Sequence, residues 1–165
     1  YDNVIPHIRG EEVKIEQETR KLLGKLGERG IEPADIEVSA QANRVPVLDG
    51  HLAALSIGLR NAPELIEVEA TLAGFRGVDE LPSAPAHPLI VRSEENRPQP
   101  RLDREAQDGM AVSVGRLQPC SVLDFRMISL VHNTLRGAAG GALLNAELLV
   151  AEGHLGEAAR EVAFA

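Results

Sequence analysis

The sequence predicts an α+β domain, a sheet covered by helices. Three observations carry this. Apolar residues with helical spacing (Val13, Ile15, Leu22, Leu23, Leu26) make an imperfect stripe early in the chain. An alternating run follows, with Ala53, Leu55, Ile57 and Leu59 on one face. A second pair of alternating runs, Met110 to Leu117 and Val122 to Val131, is placed to pair as a hairpin across Gln118-Pro119-Cys120-Ser121.

In chain order, residues 1–9 are an extended lead-in broken by Pro6 and Gly10. A helix is expected from Glu11 to Leu26, with Glu11 and Glu12 in the first turn, where acids suit the positive end of the helix dipole. Gly27 and Gly30 are expected to end it. Ile36 to Ala40 alternates as a strand, and Val45 to Leu48 continues the sheet. His51 to Arg60 is a half-buried strand. Asn61 is positioned to cap a second helix, with Pro63 early in it and Glu64 three residues after the cap; the helix runs to Gly74 or Gly77. Residues 78–88 form a Pro- and Ala-rich loop, Leu89 to Val91 a short strand, and residues 93–108 mostly loop. A loop of that length in a compact domain is usually functional or interfacial. The segment Gly137–Gly141 opens a helix to about Glu152, and the last ten residues are polar and helical in character.

The 165 residues are enough for a real core, and 44% hydrophobic with 25% charged residues is ordinary for a globular domain. A 2% aromatic content leaves no platforms for stacked bases, and a net charge of −8 opposes general nucleic-acid binding. No apolar run approaches the roughly 20 residues of a membrane-spanning helix, and no signal peptide is evident. One cysteine, Cys120, allows no internal disulfide and makes a reducing, cytoplasmic setting the expectation. Five histidines show no metal-ligand spacing, so no metal is expected.

The stretch Asn43-Arg44-Val45-Pro46-Val47-Leu48-Asp49-Gly50-His51 is the most informative. An Asp-Gly turn redirects the chain and places His51 at a rim. Arginine grips carboxylates or phosphates as a fork, and histidine exchanges a proton near neutral pH. By spacing alone, a surface arginine and a turn histidine account for this pair. A solvated ion pair likewise accounts for Glu11 and Lys14, which share a helix face at i, i+3. Close helix packing accounts for Gly137–Gly141, which lacks the spacing of a nucleotide loop, and Cys120 reads as a bystander thiol.

Together with Asp2-Asn3-Val4-Ile5-Pro6-His7-Ile8, Gly10-Glu11-Glu12-Val13-Lys14, Glu18-Thr19 and His132-Asn133-Thr134-Leu135-Arg136-Gly137-Ala138-Ala139-Gly140-Gly141, that stretch resembles the aspartate-semialdehyde dehydrogenase family. The likeness is to its catalytic and dimerisation domain. Arg97-Pro98-Gln99-Pro100-Arg101-Leu102-Asp103-Arg104 resembles the branch found in archaea, fungi and some bacteria. The resemblance implies a mixed β-sheet with helices packed on one face, as in the C-terminal domain of glyceraldehyde-3-phosphate dehydrogenases. It divides the chain into residues 1–132, the catalytic and dimerisation domain, and 133–165, a helical segment expected to pack on a nucleotide-binding domain that precedes this stretch in the family. It implies NADPH-dependent conversion of β-aspartyl phosphate to aspartate semialdehyde with release of phosphate. His51 would be the acid/base, Arg44 the clamp on the substrate carboxylate, Glu11 the partner of the substrate ammonium, Lys14 a phosphate ligand, and Asn133 a neighbour of the nicotinamide. NADP would be bound mostly by the nucleotide domain, and a homodimer or homotetramer is expected. The family nucleophile belongs to an Asn-Cys-Ser/Thr motif that these residues do not contain, so the 165 residues alone are expected to be inactive. An acyl-CoA reductase such as malonyl-CoA reductase on the same scaffold, and a non-catalytic dimerisation module, are the competing readings. Glu11 favours the amino-acid substrate, since malonate offers no ammonium.

Overall fold

A computed structural model of the chain describes residues 2–78 and 80–155. These fall into two compact units divided between Leu48 and Asp49. The expected helical character of the last ten residues lies outside the described part.

In the first unit, helix α1 spans Glu11–Leu22. Gly10, at φ 77°, turns the chain into it, Glu11 and Glu12 occupy its first turn, and Arg20 and Lys21 its last, so both ends complement the dipole. The helix stops four residues before the expected Leu26. The chain leaves the helix at its cap, Leu23, and passes Glu32 closely at Gly24, where a β-carbon would collide with the Glu32 carbonyl oxygen. It then forms a two-stranded hairpin, β1 (Lys25–Gly27) and β2 (Gly30–Glu32), in place of the last helical turn. Gly30 takes φ 115° at the hairpin's tight end.

The expected strand from Ile36 to Ala40 forms no regular element and joins no sheet. Its region is bound instead by acids of α1: Ala40 N–H donates to Glu16 Oε1 at 3.0 Å, and Ala42 N–H to Glu12 Oε1 at 3.0 Å. Backbone donors spent on carboxylates are not free for a ladder. The expected sheet continuation through Val45 to Leu48 does not form; just before it, Ile5 and Arg44 make a single bridge, exchanging backbone hydrogen bonds of 3.0 and 2.9 Å.

The second unit is built on a four-stranded mixed sheet in the order β3-β6-β5-β4. Strands β3 (His51–Ile57), β4 (Leu89–Arg92), β5 (Val112–Pro119) and β6 (Phe125–Val131) fall on the four expected strands, with shifted ends. β5 and β6 form the expected antiparallel hairpin, bulged between Gly115 and Gln118, where Arg116 takes φ 58°. β3 pairs antiparallel with β6 and β4 parallel with β5. The core gathers Ala111, Val114, Phe125 and Leu130. β3 ends at Ile57, short of Arg60, because Leu59 N–H turns aside to Asp124 Oδ2 at 2.6 Å.

Helix α2 (Leu65–Gly74) lies against β4 and β5. Its cap is Glu64, not Asn61, and Glu67 Oε2 accepts the Glu64 N–H at 3.1 Å, so Pro63 stands just outside the helix. The long loop after β4 contains one short helix, α3 (Pro100–Asp103). After β6 the chain makes a wide π-turn, Leu135–Ala139, before α4 (Gly140–Ala151), so α4 starts at Gly140 rather than Gly137. A side chain at Gly140 would overlap Met110 Sδ, which makes this glycine a close-packing position.

Candidate active site

The register His51↔Val131 places the chain leaving β6 beside the turn that starts β3. Two segments therefore converge there. Gly50 takes φ 109°, and its N–H donates to Asn133 Oδ1 at 2.7 Å. Its α-carbon is closely approached, since an added β-carbon would lie 3.2 Å from Leu130 and 3.3 Å from Pro100. His51 itself is exposed. Its ring stands at the sheet's rim, where an imidazole is accessible to a reacting group.

His132 fixes the path to Asn133. It is buried at 5% exposure, and its Nδ1 accepts the N–H groups of Thr134 and Leu135, each at 3.3 Å. A ring nitrogen that accepts carries no proton, so the proton of the neutral ring is on Nε2. That atom lies 3.9 Å from Glu105 Oε1, which also receives Arg104 Nε at 3.2 Å. Arg104 Nη1 reaches Asp49 O at 3.5 Å.

The anchor of this loop is Asp103, 1% exposed. Its carboxylate accepts Arg97 Nε at 2.7 Å and Gln99 N–H at 2.7 Å, and pairs with Arg92 Nη2 at 3.0 Å. Burial pushes its pKa up. The Arg97 hydrogen bonds, the Gln99 amide and the charges of Arg92 and Arg97 outweigh this and hold it below the ordinary carboxylate value. Arg97 is held above its own ordinary value, chiefly by its hydrogen bonds to Asp103. Residue pattern alone assigns no role to Asp103, Arg92, Arg97, Arg104 or His132. The usable signal is an acid among arginines in a Pro-x-Pro loop too long to be a simple connection.

The other candidates belong to the first unit. Glu11 Oε1 lies 3.8 Å from Lys14 Nζ, with side chains 34% and 55% exposed. That is an open pair, able to reach a ligand. Arg44 is held at its backbone by the bridge to Ile5, its side chain is exposed, and among the described residues it makes no ion pair. An arginine with a fixed backbone and an unengaged fork suits a carboxylate ligand.

Cys120 sits at the opposite end of the sheet from His51. Six residues of β3 separate His51 from Ile57, which pairs with Phe125 beside the Cys120 turn, and at about 3.3 Å per residue this is roughly 20 Å. Its thiol is held below the usual value by the backbone N–H groups of Leu123 and Val122, but it is out of reach of His51. Among the described residues no cluster of three or more His, Cys, Asp or Glu could hold a metal, and no helix is long and apolar enough to cross a membrane. A groove of about 370 Å³ is lined by Phe75, Leu81, Arg136, Leu144 and Leu148 among others; none of the five candidate residues lines it.

The second unit is thus a mixed-sheet α+β unit with an exposed histidine on a glycine turn at its rim. The family model described as "Semialdehyde dehydrogenase, dimerisation domain" matches residues 1–136, and the chain belongs to that family. It is 49% identical over 151 residues to the aspartate-semialdehyde dehydrogenase of Archaeoglobus fulgidus, covering 92% of this chain and 44% of that protein. It is 47% identical over 160 residues to that of Schizosaccharomyces pombe, covering 92% and 45%. The crystal structure of aspartate semialdehyde dehydrogenase with NADP from Candida albicans superposes with a TM-score of 0.85 at 42% identity, over 93% of this chain and 46% of that one. A Vibrio cholerae aspartate semialdehyde dehydrogenase II complexed with ASA gives a TM-score of 0.72 at 25% identity, over 90% and 41%. The chain thus spans under half the length of the relatives it matches.

Proposed function

We propose that these residues are the catalytic and dimerisation part of an aspartate-semialdehyde dehydrogenase, which reduces β-aspartyl phosphate to aspartate semialdehyde and phosphate with NADPH. The observation that carries the reading is the His51 turn: a rim histidine on a fixed glycine hinge, in a chain 49% identical to a relative of that name.

His51 moves the protons of the reaction. It takes the proton of the thiol nucleophile as the thioester forms and phosphate leaves, gives it to the oxygen of the carbon that receives the hydride, and takes it back as the C–S bond breaks to release the aldehyde and the thiolate. Arg44 binds the substrate's distal carboxylate as a fork, Glu11 its ammonium, and Lys14 the phosphate. NADPH supplies the hydride when bound. Asn133 fits a place beside the nicotinamide: with Oδ1 accepting from Gly50, its NH₂ is left as a donor for a carboxamide oxygen. The nucleophile is a cysteine other than Cys120. The helical segment that begins at Asn133 packs on the nucleotide-binding part. The protein is a cytoplasmic homodimer or homotetramer serving lysine, methionine and threonine synthesis.

The test is NADP- and phosphate-dependent oxidation of aspartate semialdehyde by the full-length protein, with malonate semialdehyde as competitor. A higher kcat/KM on aspartate semialdehyde supports the reading. Preference for malonate semialdehyde, or turnover by the 165 residues alone, overturns it.

A further inference from the structure

We propose that Asn133 is a positioning residue for His51: its side-chain oxygen holds the Gly50 N–H and so sets the direction from which the imidazole meets the substrate. This rests on the reading of His51 as the acid/base. A backbone N–H can only donate, so the Asn133 atom facing it is the carbonyl oxygen, and the orientation of the amide is decided by chemistry. The bond is 2.7 Å long and joins residues 83 apart in the chain, so it adds a side-chain tie between the end of β6 and the start of β3 just beyond the last ladder pair, His51 with Val131.

Both ends of the tie are rigid. Asn133 follows the buried His132, whose ring takes the next two backbone N–H groups. Gly50 is at φ 109°, a conformation an L side chain rarely adopts, with Leu130, Pro100 and Arg104 packed against its α-carbon. His51 is exposed, so its placement is inherited from the backbone behind it. Rotation at Gly50 would swing the ring through the full length of its side chain. A misplacement of about 1 Å at a reacting group can cost on the order of 100-fold in rate.

The experiment uses the full-length protein with Asn133→Ala and Asn133→Asp. The aspartate carboxylate also accepts an N–H, whereas alanine cannot. Alanine should lower kcat by about 10- to 100-fold with KM for the semialdehyde nearly unchanged. Aspartate should recover most of kcat, while KM for NADP rises in both variants because neither keeps the amide donor. Hydrogen exchange at the Gly50 amide, read by NMR on glycine-labelled protein, should be slow in the wild type and the aspartate variant and faster in the alanine variant. Unchanged Gly50 exchange in Asn133→Ala overturns the proposal. So does an equal loss of kcat in the two variants, or a loss confined to KM for NADP. A wild-type protein inactive on aspartate semialdehyde would instead sink the proposed function, while the Gly50 exchange would still decide whether Asn133 holds the turn.

Discussion

Replacing Asp103 by asparagine should destabilise the protein by about 3–5 kcal/mol, the usual cost of removing one partner from a buried ion pair. Asp103 is 1% exposed and is the common acceptor for Arg97, Arg92 and the Gln99 amide. Asparagine keeps the shape but turns one acceptor into a donor, which then faces a guanidinium that also only donates. The lower end, about 3 kcal/mol, is the better figure, because the side chains of Arg92 and Arg97 remain 22% and 21% exposed and recover some hydration. At about 2–4 °C per kcal/mol for a chain of this size, that is a fall in Tm of about 6–12 °C. The effect must also depend on pH. The Asp103 pKa is lowered on folding, so its contribution is fully present above the unfolded carboxylate value of about 3.9 and is lost as pH falls through the lower folded value. Urea unfolding at pH 7 and at descending pH measures both. A variant within about 0.5 kcal/mol of wild type at pH 7, or a deficit that grows as the solution is acidified, would refute the reasoning.

His51→Gln should lower kcat of the full-length protein by about 10²- to 10⁴-fold, the range for losing a general acid/base, with circular dichroism unchanged because the ring is exposed. Arg44→Lys should raise KM for the semialdehyde about tenfold or more, since an ammonium cannot replace the bidentate fork; steady-state kinetics will show it, and an unchanged KM removes Arg44 as the clamp. Cys120→Ser should leave turnover intact, since roughly 20 Å of strand separates that turn from His51, and a large loss would make Cys120 part of the chemistry.

Local residue pattern is enough for the elements whose residues speak for themselves. The start of α1 follows from Gly10 and two acids, and strands β3, β5 and β6 from their apolar runs, although β3, expected to be half-buried, buries none of its residues. Five candidate residues can be named from sequence because each belongs to a contiguous motif. The rest depends on the folded chain, and in each case a partner distant in sequence makes the difference. Leu26 leaves the helix for a hairpin in which it pairs with Ile31, and Gly24 lets the chain pass close to Glu32. The stretch from Ile36 to Ala40 alternates as a strand should, but two glutamates of α1 claim the amides of Ala40 and of Ala42 just beyond it. Asp103 is a charge in a polar loop until Arg92 and Arg97 close on it, and burial then turns an ordinary acid into an anchor. Asn133 is the clearest case. Nothing local gives its side chain a partner, and only the antiparallel pairing of β3 with β6 brings its oxygen to Gly50, next to the histidine.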